Sequence, residues 1–184
     1  MEVVEMKMKG LKLIKPKVYR DNRGFFFESY NKSSYEKAGI DVTFVQDNHS
    51  LSSYKTIRGM HFQELEGQDK LMSVARGCIF HVAVDMRRDS DTFGQWEGVI
   101  LDDKDYHQLF VPAGFAHGFC VLSDSANVVY KVSRPYNADL EKGFIWNDKD
   151  INIKWPVDDP VISIRDAEAP SYAEVIKNCS VGIL

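Results

Sequence analysis

The sequence predicts an all-β sandwich or barrel. Short apolar, β-branched and aromatic runs recur from residue 11 to residue 132. Turn residues interrupt them roughly every 8–12 positions, the spacing of antiparallel β architectures. Short strands parted by such frequent turns mean a sandwich or barrel rather than βαβ units. The 184 residues suit one domain, and 44% hydrophobic with 27% charged residues is an ordinary globular mix.

Taken in order, Leu11 to Ile14 reads as a short strand, limited by Pro16 and resumed at Val18-Tyr19. Asp21-Asn22-Arg23-Gly24 is a turn. Phe25 to Tyr30 follows as an aromatic strand. Ser33 or Ser34 caps a short helix that ends at Gly39. Val42 to Ser53 is a strand on which Phe44, Gln46, Asn48 and Ser50 share one face, either a solvated exterior or a binding wall. Thr56 to Gln63 comes next, then a polar loop over Glu64 to Asp69. Strands follow at Lys70–Ala75, Cys78–Asp85, Gly94–Leu101, His107–Val111, Pro112–Leu122 and Ala126–Val132. From 134 onwards Pro135, Gly143, Pro156, Pro160 and Pro170 break the periodicity. Trp146 and Trp155 are expected to anchor this tail, and Ala173 to Ile176 to form a terminal helix. The expected organisation is one domain over 1–184. Its core spans about 40–135, with the strands of 11–30 and the extension 136–184 packed on it.

The totals exclude several functions. Net charge is −4 and no basic run exceeds two residues, so nothing resembles a nucleic-acid footprint. Cys78, Cys120 and Cys179 are odd in number and widely spaced, against a disulfide framework or a zinc site. Cys78 and Cys120 lie in apolar runs and are expected to be buried. No apolar stretch approaches the roughly 20 residues of a membrane span. The amino terminus has no secretory pattern, so the expectation is a cytoplasmic protein.

Thr56-Ile57-Arg58-Gly59-Met60-His61-Phe62-Gln63 sets polar side chains among apolar ones. Strict alternation puts His61 and Gln63 on one face and Arg58 on the other, unless Gly59 bends the strand. His61 is a candidate base, because modest surroundings move an imidazole across neutrality. The plainer alternative is a hydrogen-bonded core histidine. A base needs a carboxylate on its second nitrogen, and Asp85 and Asp166 both qualify. Tyr130 is a candidate acid. Arg23, Arg58 and Lys70 are separated cations that would suit phosphate if they converged. A metal at His61 and His117 is disfavoured: the positions two residues either side of His61 are Gly59 and Gln63, not a second histidine.

Together these segments resemble the dTDP-4-dehydrorhamnose 3,5-epimerase family, the cupin-type sugar-nucleotide epimerases. The resemblance runs from about residue 11 to 170. It rests on Asp21-Asn22-Arg23-Gly24-Phe25-Phe26, Gln46-Asp47-Asn48-His49-Ser50, Ile57 to Gln63 and Lys70-Leu71. Val84 to Arg87, Pro112 to Phe119, Trp146-Asn147-Asp148 and Ile162 to Asp166 complete it.

The resemblance implies a cupin-like jelly roll with a few short peripheral helices. It implies a homodimer without metal or cofactor, acting on dTDP-4-dehydro-6-deoxyglucose at C3 and C5. It assigns His61 as base, Tyr130 as acid, Asp166 as the partner of the histidine, and Lys70 as stabiliser of the enolate. Arg23 and Arg58 would hold the diphosphate. Glu28, Gln46, Asn48, His117, Glu141 and Arg165 would make other nucleotide-sugar contacts, and Tyr136 would stack on thymine. Arg165 stands where lysine is common, and Glu64-Leu65-Glu66-Gly67-Gln68 lacks a usual proline. Relatives that invert C3 or C5 alone share these motifs, so a single-centre epimerase or ketoisomerase is the alternative. A non-catalytic nucleotide-sugar binder is another.

Overall fold

Alternation along the strands sorts the side chains into layers. The computed structural model describes residues 1–64 and 67–178. Leu65, Glu66 and Cys179 lie outside them.

The elements are β1 (Glu2–Glu5), β2 (Lys12–Lys15), β3 (Tyr19–Asp21), β4 (Gly24–Phe26), α1 (Lys32–Lys37), β5 (Gln46–Ser53), β6 (Ile57–Gln63) and β7 (Lys70–Arg76). They continue with β8 (Cys78–Asp85), β9 (Trp96–Asp102), β10 (Gln108–Val111), β11 (Phe115–Val121), β12 (Ser125–Val132), β13 (Glu141–Gly143), α2 (Ile164–Ala167) and α3 (Tyr172–Asn178). A six-stranded sheet has the order β1-β2-β10-β7-β12-β5, and a five-stranded sheet β13-β6-β11-β8-β9. All strand pairs in both are antiparallel. β3 and β4 form a separate hairpin.

Met72, Val74, Leu109, Ala126 and Val128 of the first sheet pack against Ile79, Ala83, Leu101, Phe119 and Val121 of the second. The outer face of the five-stranded sheet is covered as well. Met60, Phe62, Val82, Val84 and Ala116 pack under Phe144, Ile151, Ile153, Tyr172 and Val175 of the C-terminal segment. Double coverage explains why β11 is buried at every position and is apolar apart from His117. Trp155 anchors this layer: its ring meets Phe80 edge-on at 6.1 Å, and its Nε1 donates to the Trp146 carbonyl at 2.8 Å. On the far side, α1 lays Tyr35 over Ile14, Leu71 and Phe110.

Five local expectations change. β1 was not anticipated, because its ends are glutamates, yet it pairs with β2 at the sheet edge. β2 is inserted in the main sheet beside β10 rather than packed on it. The aromatic strand stops at Phe26, since it has only a hairpin partner. Helix α1 is capped by Asn31, whose side chain accepts from the Ser34 amide, and not by Ser33 or Ser34. Cys120 is buried, whereas Cys78 at the start of β8 is only half-buried.

Candidate active site

The interior of the sandwich is apolar at one end and polar at the other. Inward positions of β5, β6, β7, β11 and β12 open there into a cavity of about 640 Å³. It is lined by Gln46, Asn48 and Ser50 of β5, Arg58, His61 and Gln63 of β6, Lys70, His117 and Tyr130. The amide row on β5 is therefore a cavity wall. Tyr136, Glu141, Arg165 and Asp166 close the cavity from the C-terminal segment.

Strict alternation would separate Arg58 from His61, and a bulge reunites them. His117 stands opposite His61 and Phe119 opposite Arg58, so β6 uses one more residue than β11 between these pairs. The bend sits at Gly59, whose φ is +130°. A Cβ there would lie 2.7 Å from the Gly118 Cα, so the two backbones touch where only glycine fits.

His61 Nε2 lies 2.7 Å from Asp166 Oδ1. The Gly59 amide donates to Asp166 Oδ2 at 3.2 Å, and Ser163, the cap of α2, accepts from the Asp166 amide. Burial alone would raise the Asp166 carboxyl, but the hydrogen bonds and charge of His61, with Gly59 and Ser163, hold it below its ordinary value. A carboxylate so held fixes the imidazole orientation and stabilises an imidazolium. Asp85, the other candidate, is spoken for: its oxygens take Arg87, Ser90 and Thr92.

Lys70 is 6% exposed and begins β7 between β10 and β12. Burial drives its ammonium down from 10.5 to about 8, with Glu141 and Asp69 opposing. The Tyr130 phenol is pushed up by burial and by Glu141, with Arg58 opposing, so it stays protonated at neutral pH. The cavity thus holds an oriented imidazole, a phenol and a poorly solvated cation. That set can remove a proton beside a carbonyl, stabilise the enolate and return a proton.

The remaining expected contacts divide. Arg58 donates through Nε to Ser52 at 2.8 Å. Arg165 pairs with Glu141 at 2.7 Å, and the Tyr136 hydroxyl donates to the same carboxylate oxygen at 2.8 Å. Two residues are not brought to this cavity. Arg23 sits on the β3–β4 hairpin paired with Asp21, its side chain 86% exposed. Glu28 accepts from Asn31 and Ser34 near α1. One interior residue escaped the sequence reading. His81 is fully buried, neither ring nitrogen has a partner among the described residues, and it stacks on His117 with centroids 5.5 Å apart. Burial, then the Lys70 charge, lowers it to about 3, so it is neutral. A histidine at an inward position of an otherwise apolar strand was the available signal. Among the described residues, no three His, Cys, Asp or Glu side chains group so as to hold a metal ion.

A jelly-roll barrel whose polar end carries an aspartate-oriented histidine, a tyrosine and a buried lysine is of the cupin-like class, equipped for acid–base chemistry. The chain belongs to the dTDP-4-dehydrorhamnose 3,5-epimerase family, whose profile matches residues 5–174. It is 46% identical over 176 residues to the Shigella flexneri dTDP-4-dehydrorhamnose 3,5-epimerase, covering 95% of this chain and 97% of that one. The Legionella pneumophila dTDP-6-deoxy-D-glucose-3,5-epimerase, solved in complex with dTDP-4-keto-L-rhamnose, superposes with a TM-score of 0.89. Its identity is 44%, over 92% of each chain. ChmJ, a 3'-monoepimerase from Streptomyces bikiniensis solved with dTDP-quinovose, superposes at 0.91 with 32% identity, over 96% of this chain and 90% of that one. No helix among the described residues is long and apolar enough to cross a membrane.

Proposed function

We propose that this protein inverts both C3 and C5 of dTDP-4-dehydro-6-deoxy-D-glucose, giving dTDP-4-dehydro-L-rhamnose for dTDP-L-rhamnose biosynthesis. The observation that carries this reading is the His61–Asp166 pair in one cavity with Lys70 and Tyr130. C3 and C5 flank the C4 ketone, so loss of either proton gives an enolate. His61 takes the proton from one face. Lys70 faces the oxygen on which charge develops, in a site where burial strengthens its field. Tyr130 returns a proton to the other face, which inverts the centre. Arg58, Gln46, Asn48, His117, Glu141, Arg165 and Tyr136 hold the nucleotide and sugar, and that remote binding positions the reacting carbons. No redox cofactor and no metal enter these steps.

The protein acts as a homodimer in this reading. The β3–β4 hairpin exposes Tyr19, Phe25 and Phe26, at 56%, 50% and 73%, beside Arg23. Packing that hairpin on a second copy would bury the aromatic rings and carry Arg23 and Glu28 to the partner's diphosphate site. A cytoplasmic location fits a nucleotide-sugar substrate.

A single-centre epimerase is the second reading, favoured by the superposition on ChmJ. Mutation of the base tests the mechanism shared by both. His61→Ala should fold, bind dTDP and take up no solvent deuterium at any carbon beside the ketone. Unchanged turnover in that variant sinks the mechanism.

A further inference from the structure

Three imidazoles form a row on the inner face of the five-stranded sheet. His61 of β6 is opposite His117 of β11. His117 is opposite Ala83 of β8, and His81, two residues from Ala83, shares its face. The row runs from the cavity into the core. His61 and His117 line the cavity. His81 is fully buried, flanked on its face by Ile79 and Ala83 and opposed by Phe119.

The inner end of this row is polar and unpaired. The two nitrogens of His81 and the buried Nδ1 of His117 have no hydrogen-bond partner among the described residues. Nε2 of His117 is not buried, so it is the nitrogen that reaches the cavity. Lys70 arrives from the other sheet, buried and also without a side-chain hydrogen bond among the described residues. Burial, then the Lys70 charge, lowers both rings, so both are neutral. An ammonium has three donors and no acceptor, and a neutral imidazole has one of each. Buried groups of this kind are nearly always satisfied, by ordered water where protein does not reach.

We infer that one enclosed water joins Lys70, His81 and His117, and that it sets the tautomer of His117. The inference deepens the proposed function and rests on it for its kinetic consequence alone. Water held by an ammonium accepts from it and turns its own hydrogens away. Those hydrogens go to Nδ1 of His117 and to a nitrogen of His81. Three polar partners are the usual complement of a buried water. With Nδ1 accepting, the His117 proton sits on Nε2, and the ring donates a hydrogen bond into the cavity. Lys70 and the His117 Nε2–H then address the bound sugar together, one as a cation and one as a neutral donor. His81 is a positioning residue. It takes one hydrogen of the water, and without it the water turns and His117 is free to reverse.

Ring-¹⁵N NMR of the full chain, with no substrate present, reads the tautomer directly. His117 should be neutral between about pH 6 and 8, with its proton on Nε2. A high-resolution crystal structure should place the water about 3 Å from all three groups. His81→Leu removes the acceptor, and His81→Gln keeps one. In the leucine variant His117 should populate both tautomers. Its kcat/KM for the dTDP-4-keto sugar should fall about 10-fold, less than the loss of a direct oxyanion donor. Its dTDP affinity should not change, since dTDP lacks the sugar. Glutamine should restore both readouts. A proton on Nδ1 in the intact protein overturns the proposal, as does a crystal structure with no ordered water between the three groups. So does a leucine variant whose His117 stays wholly Nε2–H. Should that variant fail to fold, the tautomer and the water of the intact protein decide the matter alone. If both are found and the intact protein does not epimerise the sugar, the proposed function fails while this site stands.

Discussion

Lys70 should cost stability in return for activity, and Lys70→Met separates the two. The ammonium is 6% exposed and makes no hydrogen bond among the described residues. Its pKa falls from 10.5 to about 8 because burial penalises the charged form. At about 1.4 kcal/mol per pKa unit, that drop corresponds to about 3 kcal/mol of penalty in the folded protein at neutral pH. Methionine has similar bulk and no charge, so the variant should gain about 1–3 kcal/mol. For a chain of this length that is a rise in Tm of up to about 10 °C. The sign follows from proton counts. Below pH 8 the lysine is charged folded and unfolded, and the penalty is full. Between about 8 and 10.5 the unfolded chain binds the proton and the folded one does not, so stability rises with pH. The advantage of methionine should therefore be largest below pH 8 and vanish near 10.5. Activity moves the opposite way: without the cation at the enolate oxygen, turnover should fall about 10²–10³-fold. Thermal unfolding from pH 6 to 10.5, beside steady-state kinetics, checks both halves. A variant that is less stable at pH 7 and still turns over normally would refute the reasoning.

Asp166→Asn should lower turnover about 10²–10⁴-fold with little change in dTDP affinity, because it disorients the base and leaves nucleotide contacts alone; a pH–rate profile and calorimetry decide it. Tyr130→Phe should keep solvent exchange beside the ketone, since His61 still removes and returns protons, while inversion collapses; NMR of label against product stereochemistry separates the two. Gly59→Ala should cost about 1–3 kcal/mol through its positive φ and its approach to Gly118. It should also displace Arg58 relative to His61, read as weaker dTDP binding alongside lower Tm.

Much of this was legible in the sequence where one rule acted alone. Turn chemistry and spacing marked most strands, because a doubly covered sandwich needs short apolar runs. The amide row of Gln46, Asn48 and Ser50 was visible as a face, and only the fold could say that the face is interior. Where two rules competed, local reading failed. Period-two alternation separated Arg58 from His61, and the contact between Gly59 and Gly118, 59 residues apart, reversed that. Asp85 and Asp166 were equal candidates by composition, and chain closure through α2 chose Asp166. β1 was missed because polar ends mask a strand that needs only one edge partner. His81 was passed over because a lone histidine in a buried strand looks like packing.

The central claim is that one imidazole removes protons from both carbons beside the ketone. Proton NMR of dTDP-4-dehydro-6-deoxy-D-glucose incubated with the full chain in D₂O tests it most directly. Deuterium at both C3 and C5, with both centres inverted and both signals lost together in His61→Ala, is the predicted result. Label and inversion at one carbon alone, or labelling that survives His61→Ala, would contradict it.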